Sequence, residues 1–174
     1  IRDRDSEKGA RTDVSNPDLK ELTGKDIKDG TYDIEVESDS SMFRIIKAKL
    51  TVKDGKMSAV LTLNGKGYLR LFMGTGEEAV KADESQYAEF KIVDDKYTYE
   101  VSVDKLNKPV ECTSFSKRKQ KWYDHQIVFL ADTLPERAVK KDYTVVILCA
   151  VVGVVLVAGI IIGLGRIKKK KSAR

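Results

Sequence analysis

Between Asp29 and Ala131, apolar residues recur at every second position, in short runs separated by turn-forming residues. A two-residue period places one set of side chains on one face of a β-strand. Tyr32, Ile34 and Val36 alternate after Asp29-Gly30. Ile46, Ala48, Leu50 and Val52 form the next face, which ends at Lys53-Asp54-Gly55-Lys56. An Asp-Gly pair between two alternating runs is a strong hairpin signal. Met57, Ala59, Leu61 and Leu63 follow, then a tight turn at Asn64-Gly65-Lys66-Gly67 and a fourth strand from Tyr68 to Met73. Gly74-Thr75-Gly76 breaks that strand, and Glu77 to Lys81 predicts a short helical turn capped by Thr75. Tyr87 to Val93, Tyr97 to Val103, Val110 to Phe115 and Trp122 to Leu130 supply four more strands. Roughly eight short strands with no strand–helix–strand alternation predict an all-β, Ig-like antiparallel β-sandwich over residues 29–131.

The pattern changes at both ends. Residues 1–28 are polar and charged, which predicts a flexible spacer, and 132–143 read as a linker. Thr144 to Gly165 is a run of 22 residues without a charge. As a helix it would measure roughly 33 Å, enough for a hydrocarbon core of about 30 Å. It has no polar stripe, so it predicts a single C-terminal transmembrane helix over 144–165. Arg166, Lys168, Lys169, Lys170, Lys171 and Arg174 follow, which makes 166–174 a basic cytoplasmic tail. The folded domain is then expected outside the cell, on a single-pass protein of the plasma membrane. The chain opens at Ile1 rather than Met, so removal of an upstream signal segment is expected.

Composition adds two exclusions. Taking the six tail cations from the 32 basic residues leaves 26 against 27 acidic ones, so the basic pI near 9.0 belongs to the tail. It is no sign of a nucleic-acid partner. One His and two Cys exclude the usual zinc and iron clusters, and Cys112 has no disulfide partner outside the apolar run. No nucleophile elbow accompanies His125, and Gly74-Thr75-Gly76 is too short for a phosphate loop. No enzymatic activity is expected.

Two features carry binding chemistry. Lys117-Arg118-Lys119-Gln120-Lys121 is a dense basic stretch suited to a carboxylate or phosphate, or else a solvated hairpin loop. Trp122 and Tyr123 follow it directly, and aromatics beside cations suit flat ligands. In the last strand, period two places Tyr123, His125, Ile127 and Phe129 on one face and Trp122, Asp124, Gln126 and Val128 on the other. A lone His among apolar neighbours reads first as a structural residue.

Taken in order, Asp29-Gly30-Thr31-Tyr32-Asp33-Ile34, Ser41-Met42-Phe43, Ala48 to Lys56 and Trp122 to Phe129 resemble the NEAT (near-iron-transporter) domain family. The resemblance covers roughly residues 29–131. It implies an Ig-like sandwich at a Gram-positive cell surface, with haem as the cofactor or cargo. Ser41-Met42 is similar to the family's Ser-Met pair over the haem. Haem-binding members have two Tyr four residues apart on the last hairpin; here Tyr123 matches the second and Lys119 stands at the first. An ammonium does not ligate ferric iron as a phenolate does, which leaves Met42, Tyr123 and His125 as candidate ligands. The implied ligand-binding set is Met42, Phe43, Tyr68, Lys119, Trp122, Tyr123 and His125.

The tethered architecture also resembles sortase-sorted surface proteins. Leu134-Pro135-Glu136-Arg137-Ala138 lacks the Thr-Gly of their signal, so a retained membrane anchor is expected. The functional expectation is a membrane-tethered, extracytoplasmic ligand-binding domain for haem or iron capture. Its partners would be the lipid bilayer through 144–165 and haem or another flat, anionic ligand. The alternative is a protein-interaction module, an adhesin or transporter accessory that binds a surface protein and no haem.

Overall fold

The structure, a computed structural model, describes residues 13–141. The expected transmembrane helix at 144–165, the tail at 166–174 and the first twelve residues of the expected spacer lie outside the described residues. Among the described residues, no helix is long and apolar enough to cross a membrane.

Nine antiparallel strands form in chain order: β1 (Gly30–Ser38), β2 (Ile45–Lys53), β3 (Lys56–Leu63), β4 (Tyr68–Phe72), β5 (Ala88–Glu89), β6 (Lys91–Val93), β7 (Lys96–Val103), β8 (Val110–Ser116) and β9 (Trp122–Leu130). They are hydrogen-bonded in the order β5-β4-β8-β9-β1-β2-β3-β7-β6. The single α-helix among the described residues, α1 (Gly76–Lys81), is capped by Thr75, whose hydroxyl accepts from the Glu78 N–H. Among these residues the protein is all-β apart from that turn of helix and short 3₁₀ segments.

β1 is the pivot of the architecture. Gly30 to Ile34 pair with β2, and Glu35 to Ser38 pair with β9. One strand thus serves two sheets, β1-β2-β3-β7-β6 and β5-β4-β8-β9-β1. Their inner faces meet in one core of Ile34, Leu50, Leu61, Tyr99, Val101, Leu71, Cys112, Ile127 and Phe129. The far side is closed by Tyr99 on β7, whose hydroxyl donates to the Tyr68 carbonyl on β4 at 2.7 Å.

The alternation in β3 holds along its length, with Met57, Ala59, Leu61 and Leu63 all buried. The β2–β3 turn places Asp54 (φ 51°) and Gly55 (φ 77°) in the left-handed region, as a two-residue hairpin turn of right-handed twist requires. In β2 the register shifts between Ile45 and Lys47, so Ile46 bulges out and is exposed rather than joining Ala48, Leu50 and Val52. The single strand expected over Tyr87 to Val93 is two. β5 pairs with β4 and β6 with β7, and between them Phe90 stacks on Tyr97 at 4.1 Å and 6°. That inward ring fixes the point where the chain passes from one sheet to the other.

Within the expected spacer and linker, several of the described residues pack onto the sandwich. Leu22 bridges Leu106, Ile27 is fully buried and bridges Val139, and the Lys140 N–H donates to the Asp26 carbonyl at 2.7 Å. Leu134 and Ala138 are buried as well. Segments 22–28 and 131–140 therefore clamp each other and belong to the packed body, which ends at Lys140. Isolated apolar residues in a polar context gave no periodic signal, yet each fills the base of the sandwich.

Candidate ligand-binding site

Residues 39–44 connect β1 to β2 at one end of the sandwich. The Ser38 and Ser40 hydroxyls accept from the Ser40 and Met42 N–H groups, and the Phe43 N–H donates to the Ser40 carbonyl, closing a turn. That turn drives Phe43 into the core, with no exposed surface, and turns Met42 out with 71% of its surface exposed.

Phe43 lands on β9. Its ring stacks on the His125 imidazole with centroids 4.3 Å apart and planes 8° from parallel. Tyr68 packs edge-on against both rings, 5.6 Å from Phe43 and 6.2 Å from His125. The Tyr68 hydroxyl donates to the Met42 carbonyl at 3.3 Å. Burial pushes the Tyr68 phenol above its ordinary range, the Ser114 hydroxyl acts against that, and nearby Tyr123 adds to it. A phenol held protonated is a hydrogen-bond donor here rather than a phenolate.

His125 is 5% exposed, and its Nε2 shares a 2.7 Å hydrogen bond with the Ser114 hydroxyl on the facing strand. Its ring face is covered by Phe43. The imidazole thus positions the Phe43 loop, and direct ligation would require it to leave both partners. Ser114 was not singled out from the sequence. Its only signal is period two from buried Cys112, which pairs directly with His125.

The β8–β9 hairpin forms the second wall. The Ser116 N–H donates to the Lys121 carbonyl, the Gln120 N–H returns to the Ser116 carbonyl, and Gln120 takes φ 52°. Lys117, Arg118, Lys119 and Lys121 all project into solvent, and the Lys117 N–H anchors the turn on the Gly67 carbonyl next to Tyr68. The Lys121 ammonium sits 5.2 Å over the half-buried Tyr123 ring. Tyr68 thus adjoins the Met42 backbone on one side and the half-buried Tyr123 on the other, with the Met42 side chain exposed and several cations on the neighbouring hairpin.

Trp122 lies on the opposite face. It packs 5.2 Å from Phe115 and 5.1 Å from Tyr87, in a row where the Arg70 guanidinium stands 5.1 Å from Phe115 and 5.3 Å from Tyr87. α1 covers this row, with the Gly76 N–H donating to the Asp124 carboxylate at 2.6 Å. Trp122 therefore supports α1 and is removed from the Met42 side. Among the described residues, no three His, Cys, Asp or Glu side chains gather in a metal-binding group. Cys112 is fully buried, and its thiol is pushed up to about 12, first by burial and then by Glu111.

No family model matches the chain, and no curated protein does. Among solved structures, it is similar to a single-residue variant of IsdX2-NEAT5 in complex with heme. The likeness has 24% sequence identity and a TM-score of 0.43, over 59% of this chain and 96% of that one.

Proposed function

We propose that this chain is a membrane-tethered, extracytoplasmic binding domain, and that it takes haem or a similarly flat, anionic ligand between the Ser41–Phe43 turn and the β8–β9 hairpin. The observation that carries this reading is the pairing of an outward-turned Met42 with a rigid platform of Phe43, Tyr68 and His125. Chemistry supports it in three ways. A thioether and a phenol, from Met42 and Tyr123, are both groups that ligate haem iron. Lys117, Arg118, Lys119 and Lys121 match carboxylates such as propionates. The half-buried aromatic faces of Tyr68 and Tyr123 suit a flat apolar ring. The tether rests on the uncharged run at 144–165 and the basic tail after it. Binding without catalysis is the role proposed, at a Gram-positive surface.

Haemin titrated into the full chain in detergent tests the ligand. The expected result is a shifted Soret band at about one equivalent, changed in position by Tyr123→Phe or Met42→Ala. A spectrum identical to free haemin with the chain present removes haem from this reading.

A second reading draws on β6, an edge strand whose Ile92 and Val93 are 62% and 52% exposed. Open strand edges with apolar side chains pair with partner strands, which suits an adhesin or transporter accessory. Ile92→Lys would abolish capture of such a partner and leave haemin binding unchanged.

A further inference from the structure

We infer that the end of the sandwich from which the chain leaves is a lipid-contact surface, built to lie on the anionic headgroups of the bilayer that the 144–165 run enters. This inference rests on the tether proposed above and goes beyond it by assigning a face of the folded domain. The packed body continues to Lys140, through the Ile27–Val139 bridge and the bond from the Lys140 N–H to Asp26. Only Lys141, Asp142 and Tyr143 then separate Lys140 from Thr144. Four residue steps reach at most roughly 14 Å, whatever their conformation. The headgroup layer on one side of a bilayer is itself about 5–8 Å deep. Even fully extended, this chain exceeds the headgroup depth by only about 6–9 Å, so the exit end is held within about one Debye length of the headgroups.

The chemistry of that end fits such a neighbour. Lys25, Lys28, Arg137, Lys140 and Lys141 are all exposed around the exit point. None of the five takes part in an ion pair among the described residues. The acidic residues interspersed are Asp26, Asp29, Asp54, Asp104 and Glu136. Of these, the Asp26 carboxylate is tied to the Thr23 N–H and the Asp29 carboxylate accepts from the Asp54 N–H. A cleft of about 460 Å³ lined by Thr23, Lys25, Lys56, Ser102 and Asp104, among others, opens at this same end. Basic groups next to an anionic leaflet are attracted to it, and the attraction falls with salt. The Met42 turn lies at the other end of β2, a nine-residue strand roughly 30 Å long, so contact here leaves the candidate ligand face open.

Lysine acylation read by mass spectrometry tests this on the full chain in nanodiscs of phosphatidylglycerol or of phosphatidylcholine. Lys25 and Lys28 should acylate at least about threefold more slowly in the anionic discs, with Lys66 and Lys117 unchanged. A Gly-Ser insertion of about 20 residues after Lys141 should remove the protection. Equal rates at Lys25 and Lys28 in both lipids, or protection of Lys117 instead, would overturn the inference. A chain that fails to float with vesicles would overturn the tether as well, whereas one that floats unprotected sinks the contact surface alone.

Discussion

The Phe43 ring lies flat on the His125 imidazole, 4.3 Å away and 8° from parallel, although the two residues belong to different elements. The stack makes the β1–β2 turn a part of β9's inner face. Met42 inherits its position from this contact, through one peptide bond.

Replacing Phe43 tests that dependence. Phe43→Ala removes a fully buried ring and should lower stability by about 3–5 kcal/mol in urea unfolding. Phe43→Leu, which keeps most of the volume, should cost less than half of that.

Ser114→Ala should cost about 1–3 kcal/mol, because it takes a 2.7 Å hydrogen bond from a buried imidazole. The same measurement on Ser102→Ala, at an exposed position of β7, should show almost no change.

Gly24 sits against the β2–β3 turn so closely that a Cβ there would collide with the Gly55 carbonyl. Gly24→Ala should therefore lower stability by about 1–3 kcal/mol and loosen the Ile27–Val139 clamp, seen as faster amide exchange at Lys28 and Lys140. Gly65→Ala meets nothing within 4 Å and should be close to neutral.

Cys112 gives a pH signature. Its thiol is raised from 9.0 to about 12, so the folded state holds the proton in a range where the unfolded state has released it. Stability from this group is whole below pH 9 and is lost as pH rises from about 9 to about 12. In a Cys149→Ser background, a thiol reagent at pH 8 should leave the native protein unlabelled and react only on unfolding.

The strands were legible where period two is unbroken. β3 buries each of its four alternating apolar residues, and β9 runs from Trp122 to Leu130 as the pattern indicates. The Asp54-Gly55 hairpin and the Thr75 cap follow from local chemistry alone. Tertiary demands erased the signal elsewhere. The bulge at Ile46 breaks the alternation without any glycine or proline to announce it. The division of Tyr87 to Val93 depends on Phe90 finding Tyr97, a contact outside its own strand. Ile27 and Leu134 are single apolar residues in polar surroundings, so their burial reflects partners distant in sequence. At the candidate site, the facing of Tyr123 and His125 away from Trp122 was readable from parity. Ser114 as partner of His125 was not, since small residues at strand positions carry no mark of what they oppose.

β1 lends five residues to one layer and four to the other, with no break between them. The layers consequently lack a seam along which either could peel away first. Thermal melting should pass in a single step, and a mechanical pull on the two ends of the packed body would meet the whole sandwich at once rather than unravel it sheet by sheet.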